Sequence, residues 1–194
     1  MTLGAVILAA GSGMRLGGVA KALLRTGSGA TFLEQIIATA RTAGLETAIV
    51  VVAAPFGVEV AAHAKELGLR VAWNPHPERG MASSIALGFA ASAGSACDAA
   101  WLWPVDHPDV SPATLALLVA SMGQHDAARP RVGSRGGHPP LVARALWSRL
   151  ADCADLEYGA RDVFVAADVL DVAVTDEGCV RDVDTAVELQ LVEP

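Results

Sequence analysis

The stretch that decides the fold is AVILAAGSGMRLGGVAK, residues 5–21, in which an apolar run turns at once into a glycine-rich loop. Residues 5–10 predict a buried strand, and the glycines let backbone N–H groups fold inward around anionic oxygens. The same loop carries two cations, Arg15 and Lys21. Arginine binds an oxyanion through a bidentate fork, whereas lysine acts as a compact point charge. The stretch therefore predicts a polyphosphate site at the end of a strand.

Length, composition and charge limit the classes of protein to which this chain can belong. The chain has 194 residues, 53% of them hydrophobic and 5% aromatic, with a formal net charge of −7. This length suits one domain over residues 1–194, and the negative charge argues against a broad nucleic-acid surface. No apolar run approaches the roughly 18 uncharged residues that cross a bilayer, and the first residues lack a basic segment. We expect a cytoplasmic protein without a signal peptide, a membrane anchor or a nucleic-acid partner.

Short apolar runs alternate with segments of helical period over the first two thirds of the chain. The predicted strands there are residues 5–10, 47–53, 70–73 and 99–105, and the predicted helices are residues 31–43, 58–67, 81–93 and 112–122. The last third predicts a short strand at 141–143, helices at 144–150, 160–166 and 185–191, and strands at 169–174 and 179–183, with no strand over 124–135. This alternation predicts an α/β fold, a three-layer sandwich with a mostly parallel central sheet.

Three kinds of phosphate-binding loop are candidates here: a P-loop, a dinucleotide-binding loop, and a loop that wraps the triphosphate of a nucleotide as in a nucleotidyltransferase. A P-loop requires glycine directly before its lysine and serine or threonine after it, but Lys21 is flanked by alanines. Gly11, Gly13 and Gly17 approach a dinucleotide fingerprint. That site also needs an acidic residue or an arginine after the second strand to bind the ribose, and residues 52–56 read VAAPF. The triphosphate of a nucleotide is therefore the ligand we expect.

Carboxylates follow two of the predicted strands. Asp106 ends the apolar run WLWPV of residues 101–105, and it is suited to hold Mg²⁺ because that ion prefers oxygen ligands. It could instead cap the turn before Pro108. Asp182 and Asp184 lie near the end of the chain. Either can complete a metal site, whereas Asp184 could equally cap a final helix.

A polar block, NPHPERGMASSI, occupies residues 74–85 between a predicted strand and a predicted helix. The N–H groups at the start of a helix and the nearby serine hydroxyls favour an anion or a sugar hydroxyl. Capping of the helix alone would explain the same residues. The sequence leaves both interpretations open.

Residues 8–21, LAAGSGMRLGGVAK, resemble the L-A-A-G-x-G/S-x-R-[M/L]-G…K signature of the MobA-like NTP transferase family. Further blocks resemble molybdenum-cofactor cytidylyltransferases and follow in the same order, at residues 74–85, 135–142, 159–161 and 182–189. The chain departs from that pattern at residues 106–108, where DHP replaces D-Q-P, and in the longer spacing from Gly17 to Lys21. The chain is identified as a member of the MobA-like family, closest to molybdenum cofactor cytidylyltransferase.

The resemblance implies a fold, a reaction and site residues. The fold is the Rossmann-like, GT-A-like nucleotidyltransferase fold. The reaction is Mg²⁺-dependent transfer of a nucleotidyl group from a nucleoside triphosphate to a phosphate-bearing acceptor, with release of pyrophosphate. The implied catalytic residues are Arg15, Lys21 and Asp106, and the implied metal ligands are Asp106, Asp182 and Asp184. The implied nucleotide contacts are Leu8, Ala9, Ala10, Gly11, Ser12, Gly13, Arg15, Lys21, Asn74, Gly80, Ser83 and Ser84, and the implied acceptor contacts are Gly137, His138 and Arg161.

The family pattern also bears on the two substrates. Ala10 favours CTP over GTP, because L-A-A-G accompanies cytidine in the family and L-A-G-G accompanies guanosine. The resemblance implies molybdopterin as the acceptor and a transient contact with a molybdenum enzyme. One alternative is a nucleotidyltransferase for a sugar phosphate or another small phosphate. The other is a non-catalytic partner of a molybdenum enzyme that only binds nucleotide.

Overall fold

A computed structural model describes residues 1–13 and 17–183 of the chain. In these ranges the strands are β1 (Leu3–Leu8), β2 (Leu45–Val52), β3 (Arg70–Trp73), β4 (Ala99–Pro104), β5 (Ala127–Val132), β6 (Arg135–Gly136), β7 (Leu141–Ala143) and β8 (Val169–Ala173). The α-helices are α1 (Phe32–Thr42), α2 (Gly57–Glu66), α3 (Met81–Ser92), α4 (Pro112–Ser121), α5 (Trp147–Ala151) and α6 (Ala160–Val165). Short 3-10 turns cover Lys21–Leu23, Pro77–Arg79, Arg144–Leu146, Cys153–Asp155 and Glu177–Cys179.

The strands form one sheet in the order β3-β2-β1-β4-β7-β5-β6, with β8 beside β5. The central strand β1 pairs in parallel with both β2 and β4, so that Ile7 lies between Val50 and Trp103. β3 runs parallel to β2, and β8 runs parallel to β5. β7 is antiparallel to β4 and β5, and the short β6 is antiparallel to β5. The predicted mostly parallel sheet is confirmed.

Helices cover both faces of the sheet and produce two cores. Ile7 belongs to the core beneath α1, α2 and α4, whereas Val6 and Leu8 belong to the core beneath α3, α5 and α6. Alternate residues of a strand point to opposite faces, so a strand covered on both sides needs apolar residues throughout. β1 meets this requirement because all of its residues are buried. α3 packs closely on β1 because Gly88 has no side chain. A Cβ on Gly88 would lie 2.3 Å from Val6 Cγ1.

The elements predicted over residues 1–123 are all present, and their ends differ from the prediction by no more than two residues. Two predictions in the last third were wrong. Residues 127–132 form β5, in which Arg129 and Arg131 each make an ion pair of 2.7 Å with Asp171 of β8. Residues 177–179 form a 3-10 turn, and residues 180–183 follow it without forming the predicted strand. The predicted helix at 185–191 lies outside the described residues.

The four parallel strands β3, β2, β1 and β4 are neighbours, so their carboxyl ends lie along one edge of the sheet. Ligands of open α/β sheets bind outside this edge. The glycine-rich loop, Ala54, the turn at 77–79 and Asp106 follow these strands in the chain. The topology therefore brings together four segments that are far apart in sequence. No helix within the described ranges has the length and apolar character that crossing a bilayer requires.

Candidate active site

A cavity of about 500 Å³ opens at the carboxyl edge of the parallel strands. Its lining comprises residues 8–12, 21–22, 54, 77–78, 80–81, 84 and 104–106. Backbone hydrogen bonds fix its floor, because the Ala9 N–H donates to the Val51 oxygen (2.9 Å) and the Val105 N–H donates to the Leu8 oxygen (3.1 Å). The cavity therefore joins the glycine-rich loop to the end of β4.

Gly13 is required by the shape of the glycine-rich loop. Its φ is +57°, which L side chains rarely adopt, and a Cβ there would lie 2.0 Å from the Val19 backbone oxygen. The Gly18 N–H donates to the Gly13 oxygen (3.0 Å) and closes the loop on itself. Gly11 and Ser12 line the cavity. Arg15, a predicted catalytic and nucleotide-binding residue, lies outside the described residues.

Lys21 and Asp106 meet inside the cavity. Lys21 Nζ donates a hydrogen bond to Asp106 Oδ2 at 3.2 Å, and the two side chains are 13% and 23% exposed. The Asp106 backbone oxygen accepts a hydrogen bond of 2.9 Å from the Val183 N–H. The structure therefore brings two of the three predicted catalytic residues into direct contact. An ammonium and a carboxylate at a polyphosphate site can hold an anion and a cation respectively.

Asp106 retains one carboxylate oxygen for a ligand. Oδ1 is buried and has no hydrogen-bond partner among the described residues, and His107 Nε2 lies 3.9 Å from it. An unpartnered carboxylate oxygen is the ligand type that Mg²⁺ prefers, so this residue fits a metal ion. Asp182 is exposed and precedes Val183, whose N–H binds the Asp106 backbone. Asp184 lies outside the described residues.

The protein side chains would supply only part of such a coordination shell. Within residues 1–13 and 17–183, no group of three or more histidine, cysteine, aspartate or glutamate side chains is arranged to hold a metal ion. Mg²⁺ usually takes one or two carboxylates and completes its shell with substrate phosphates and water. The arrangement around Asp106 is of that type.

A pair of histidines lies behind Asp106. The His107 and His138 rings have centroids 5.0 Å apart and an interplanar angle of 39°. Burial, aided by the neighbouring His107, lowers the pKa of His138 from 6.5 to about 4. Its Nδ1 is buried without a hydrogen-bond partner in the described part of the chain. The ring of His138 is therefore neutral at pH 7 and retains an unused polar atom beside the Asp106 segment.

Two backbone features fix this histidine pair. The His138 N–H donates to the Cys179 oxygen at 2.7 Å, and Trp103 Nε1 donates to the His107 oxygen at 2.9 Å. Gly137 allows the close approach, because a Cβ there would lie 2.6 Å from the Cys179 oxygen. The segment at 137–138, a predicted acceptor contact, is thus tied to the same side of the sheet as Asp106.

The predicted nucleotide contacts of the polar block divide into two groups. Asn74 is buried, and its Nδ2 donates to Ser83 Oγ (2.8 Å) and Ser84 Oγ (2.9 Å). Ser83 Oγ in turn donates to the Gly80 oxygen at 2.8 Å. Asn74 and Ser83 therefore organise the start of α3 through hydrogen bonds within the protein. Gly80 and Ser84 line the cavity.

Arg161, like Gly137 and His138, is a predicted acceptor contact that is not part of the cavity lining. It is exposed on α6. The turn before it packs on α3, because a Cβ on Gly159 would lie 2.8 Å from Ala82 Cβ. Arg79 also joins these regions through an ion pair of 2.6 Å with Asp155. Arg161 would reach only a ligand that extends beyond the cavity.

Ala54, Pro77, Glu78 and Met81 line the cavity but were absent from the predicted site. Each follows a parallel strand or begins the next helix. Their position after β2 and β3 could have identified them as cavity residues, since ligands bind outside the carboxyl edge of such a sheet. Apolar residue types at three of these positions gave no chemical signal of their own.

Comparison with known proteins identifies the family. The model of the MobA-like NTP transferase domain matches residues 5–170. A curated relative from Rubrobacter xylanophilus, described as a bifunctional IPC transferase and DIPP synthase, is 47% identical over 87 residues, which are 43% of this chain and 20% of the relative. The match thus spans about a fifth of that protein's length.

Solved structures share the whole architecture. Rv0371c from Mycobacterium tuberculosis is 25% identical, with a TM-score of 0.77 over 100% of this chain and 97% of that one, and another crystal structure of it contains manganese. A nucleotidyl transferase from Methanothermobacter gives a TM-score of 0.80 at 21% identity, over 99% and 96% of the two chains. Molybdopterin-guanine dinucleotide biosynthesis protein A from Archaeoglobus fulgidus gives 0.70 at 16%, over 100% and 97%. These likenesses confirm the predicted Rossmann-like nucleotidyltransferase fold, and the chain belongs to the MobA-like NTP transferase family.

Proposed function

We propose that this chain is a Mg²⁺-dependent nucleotidyltransferase, formed by a single domain over residues 1–194, that transfers CMP from CTP to a phosphate-bearing acceptor. The observation that carries the proposal is the contact of Lys21 Nζ with Asp106 Oδ2 at 3.2 Å beside the glycine-rich loop. An oxygen of the acceptor phosphate attacks the α-phosphorus of the nucleotide. The bond from that phosphorus to the bridging oxygen of the β-phosphate breaks, and pyrophosphate leaves with the electron pair. Membership of an NTP transferase family supports this class of reaction.

The chain's own residues position the nucleotide and neutralise its charge. Gly11 and Ser12 line the cavity after β1, and in the proposed function their backbone N–H groups, with that of Gly13, bind phosphate oxygens. Lys21 and Arg15 offset the charge that accumulates on pyrophosphate as it leaves. Transfers of this kind depend on positioning and charge neutralisation more than on covalent chemistry. The 3-10 turn at Lys21–Leu23 holds Lys21 at the wall of the cavity.

Asp106, with Asp182 or Asp184, would hold the metal ion. The unpartnered, buried Oδ1 of Asp106 supports this assignment. When bound, Mg²⁺ would polarise the α-phosphate and reduce its negative charge. The crystal structure of Rv0371c in complex with manganese favours a divalent ion as the cofactor.

The acceptor side is assigned to Gly137 and His138, with Arg161 as a more distant contact. The ring contact of His138 with His107, which follows Asp106, supports a position next to the reacting phosphate. Molybdopterin is the acceptor we propose, with a transient contact to a molybdenum enzyme and a cytoplasmic location. A sugar phosphate or another small phosphate is the second candidate. The Rubrobacter protein that is 47% identical over 87 residues is described as a bifunctional IPC transferase and DIPP synthase, not as a molybdopterin enzyme, and this favours the alternative.

The proposal is tested by turnover with defined substrates. Purified protein is incubated with Mg²⁺ and CTP, GTP, ATP or UTP, together with molybdopterin or a panel of sugar and alcohol phosphates, and pyrophosphate is measured. We expect pyrophosphate with CTP and molybdopterin. Its absence from every pairing would overturn the enzymatic proposal, and tight nucleotide binding without turnover would favour a non-catalytic nucleotide-binding partner.

A further inference from the structure

The Lys21–Asp106 ion pair is held by the backbone on both sides. The Lys21 backbone oxygen accepts a hydrogen bond of 3.1 Å from the Leu24 N–H, and the adjacent Ala22 is 2% exposed. On the other side, the Asp106 oxygen accepts from the Val183 N–H at 2.9 Å. The pair is also largely shielded from solvent, so its electrostatic attraction is stronger than that of an open surface pair. The contact is therefore a defined feature of the site.

The pair leaves the two oxygens of Asp106 in different states. Oδ2 accepts the hydrogen bond from Lys21, whereas Oδ1 is buried without a hydrogen-bond partner in the ranges described. A divalent cation on Oδ1 would lie within a few ångströms of the Lys21 ammonium, because both oxygens belong to one carboxylate. Like charges at that separation repel each other strongly in a shielded site. Lys21 in this position therefore opposes binding of a metal ion by the free protein.

A nucleoside triphosphate changes this balance. Its phosphate oxygens offer the Lys21 ammonium several negative charges that compete with the Asp106 carboxylate. Once Lys21 turns to the phosphates, both oxygens of Asp106 can serve a cation. The metal ion and the nucleotide would then each raise the affinity for the other, as thermodynamic linkage requires.

We propose that the Lys21–Asp106 ion pair excludes divalent metal from the nucleotide-free site and that nucleotide binding removes this exclusion. The inference rests on the proposed function, because it gives the triphosphate to Lys21 and the metal ion to Asp106. A purely structural role for the ion pair predicts a different effect on metal affinity. If Lys21 only orders the loop around Asp106, its removal leaves metal binding unchanged or weaker.

The test measures Mn²⁺ binding to the nucleotide-free protein by electron paramagnetic resonance. We expect Lys21→Met to bind Mn²⁺ about tenfold more tightly than the wild type, at the upper end of what a partly shielded ion pair contributes. Lys21→Gln serves as a second variant if the first fails to fold. Lys65→Met is the matched control, because Lys65 is the only other lysine of the chain and is exposed on α2. It should leave Mn²⁺ affinity at the wild-type value.

The double variant Lys21→Met, Asp106→Asn assigns the gain to Asp106, and it should lose the tighter binding. Equal or weaker Mn²⁺ binding by both Lys21 variants would overturn the inference. Calorimetry of wild-type protein with CTP separates this result from a failure of the proposed function. If CTP binds and the Lys21 variants gain no Mn²⁺ affinity, only the exclusion of metal is wrong. If no nucleotide binds, the proposed function and the inference both fail.

Discussion

At the scale of single residues, the candidate site depends on a few side chains whose surroundings determine their hydrogen bonding and protonation. Lys21 and Asp106 share an ion pair, and one oxygen of Asp106 keeps no hydrogen-bond partner in the described ranges. His138 is neutral at pH 7 because burial lowers its pKa to about 4. These environments, and not the residue types alone, lead to the following predictions.

Replacing the Asp106 carboxylate by an amide should abolish metal-dependent turnover while the fold is kept. We expect Asp106→Asn to lower kcat by about two to three orders of magnitude, because an amide oxygen carries no net charge to hold a divalent ion. Pyrophosphate release measures the loss, and circular dichroism verifies the fold. Asp152→Asn is the matched control, since Asp152 is exposed and distant from the cavity lining. A turnover close to the wild type would show that the metal ion binds elsewhere.

The buried His138 should make the protein less stable in mild acid. Its pKa is about 4 in the folded state and near 6.5 when unfolded, so the unfolded chain binds more protons between those values. The free energy of unfolding therefore falls as the pH drops from 6.5 towards 4, by up to about 3 kcal/mol from this group. Denaturant titrations at several pH values measure the slope. His138→Asn should have a shallower slope in this range, and equal slopes would contradict the assignment.

At the scale of elements, glycines and helix caps determine how the site is presented. The glycine-rich loop folds back on itself at Gly13, and α1 begins with a reciprocal pair of hydrogen bonds at Thr31. We expect the turn at Gly13 to affect ligand binding and the hydrogen bonds at Thr31 to affect only the stability of the fold. They can be tested separately.

An alanine at position 13 should damage the loop selectively. Gly13→Ala places a Cβ 2.0 Å from the Val19 oxygen at a φ of +57°, so the loop has to change shape. We expect CTP affinity to fall at least tenfold, measured by calorimetry. Gly17→Ala is the matched control, because Gly17 also has a positive φ but a Cβ there would meet no atom of residues 1–13 and 17–183 within 4 Å. An equal loss in both variants would mean that backbone strain alone, without the contact to Val19, determines the effect.

Loss of the cap of α1 should lower stability without affecting nucleotide binding. Thr31 Oγ1 accepts a hydrogen bond from the Glu34 N–H at 3.1 Å, and the Glu34 carboxylate accepts from the Thr31 N–H at 2.6 Å. Thr31→Ala should reduce the free energy of unfolding by about 1 kcal/mol. Denaturant titration measures this change, and CTP affinity should stay constant. Thr31→Ser, which retains the hydroxyl, should recover most of the stability.

At the scale of the whole molecule, the parallel half of the sheet carries the cavity and the antiparallel half carries the proposed acceptor contacts at 137–138. β7 connects the two halves by pairing with both β4 and β5. A ligand bound at the carboxyl edge of β1 to β4 therefore contacts segments spread between residues 8 and 106. Such a ligand should stabilise the molecule as a unit.

Nucleotide binding should raise the melting temperature in a base-dependent way. A ligand at 100 times its dissociation constant adds about 2.7 kcal/mol to the free energy of unfolding, which corresponds to a rise of several degrees for a chain of this size. We expect CTP with Mg²⁺ to produce this shift in a thermal melt and GTP at the same concentration to produce a smaller one. Equal shifts would contradict the preference assigned to Ala10.

The parts of the fold that follow from local pattern were predictable from the sequence. The apolar runs predicted β1, β2 and β4 correctly, because strands that are buried on both faces are apolar throughout. Ser111 and the proline after it predicted the start of α4, because helix initiation also leaves a local signal. β5 left no such signal, since Arg129 and Arg131 are kept in the sheet by Asp171, forty residues or more further along the chain. Pairings of that kind depend on the tertiary fold.

In the candidate site, too, the features that local motifs encode were predictable and the contacts between distant segments were not. The loop, Asp106 and the cavity contacts of Gly80 and Ser84 could be named from motifs, because each motif follows a strand of the same edge. The ion pair of Lys21 with Asp106 joins residues 85 positions apart. The ring contact of His138 with His107 likewise depends on distant segments that the fold brings together. No local pattern encodes either contact.

The strand order places a limit on the size of the nucleotide. The centres of β3 and β4 are three strand spacings apart, about 14 Å, and the cavity runs between the segments that follow them. In the proposed function, the phosphates would lie over β1 and β4 and the base would extend over β2 and β3. A dinucleotide laid along the same edge would project past β3 into solvent. We therefore expect a nucleotide longer than a nucleoside triphosphate to bind with one end outside the cavity.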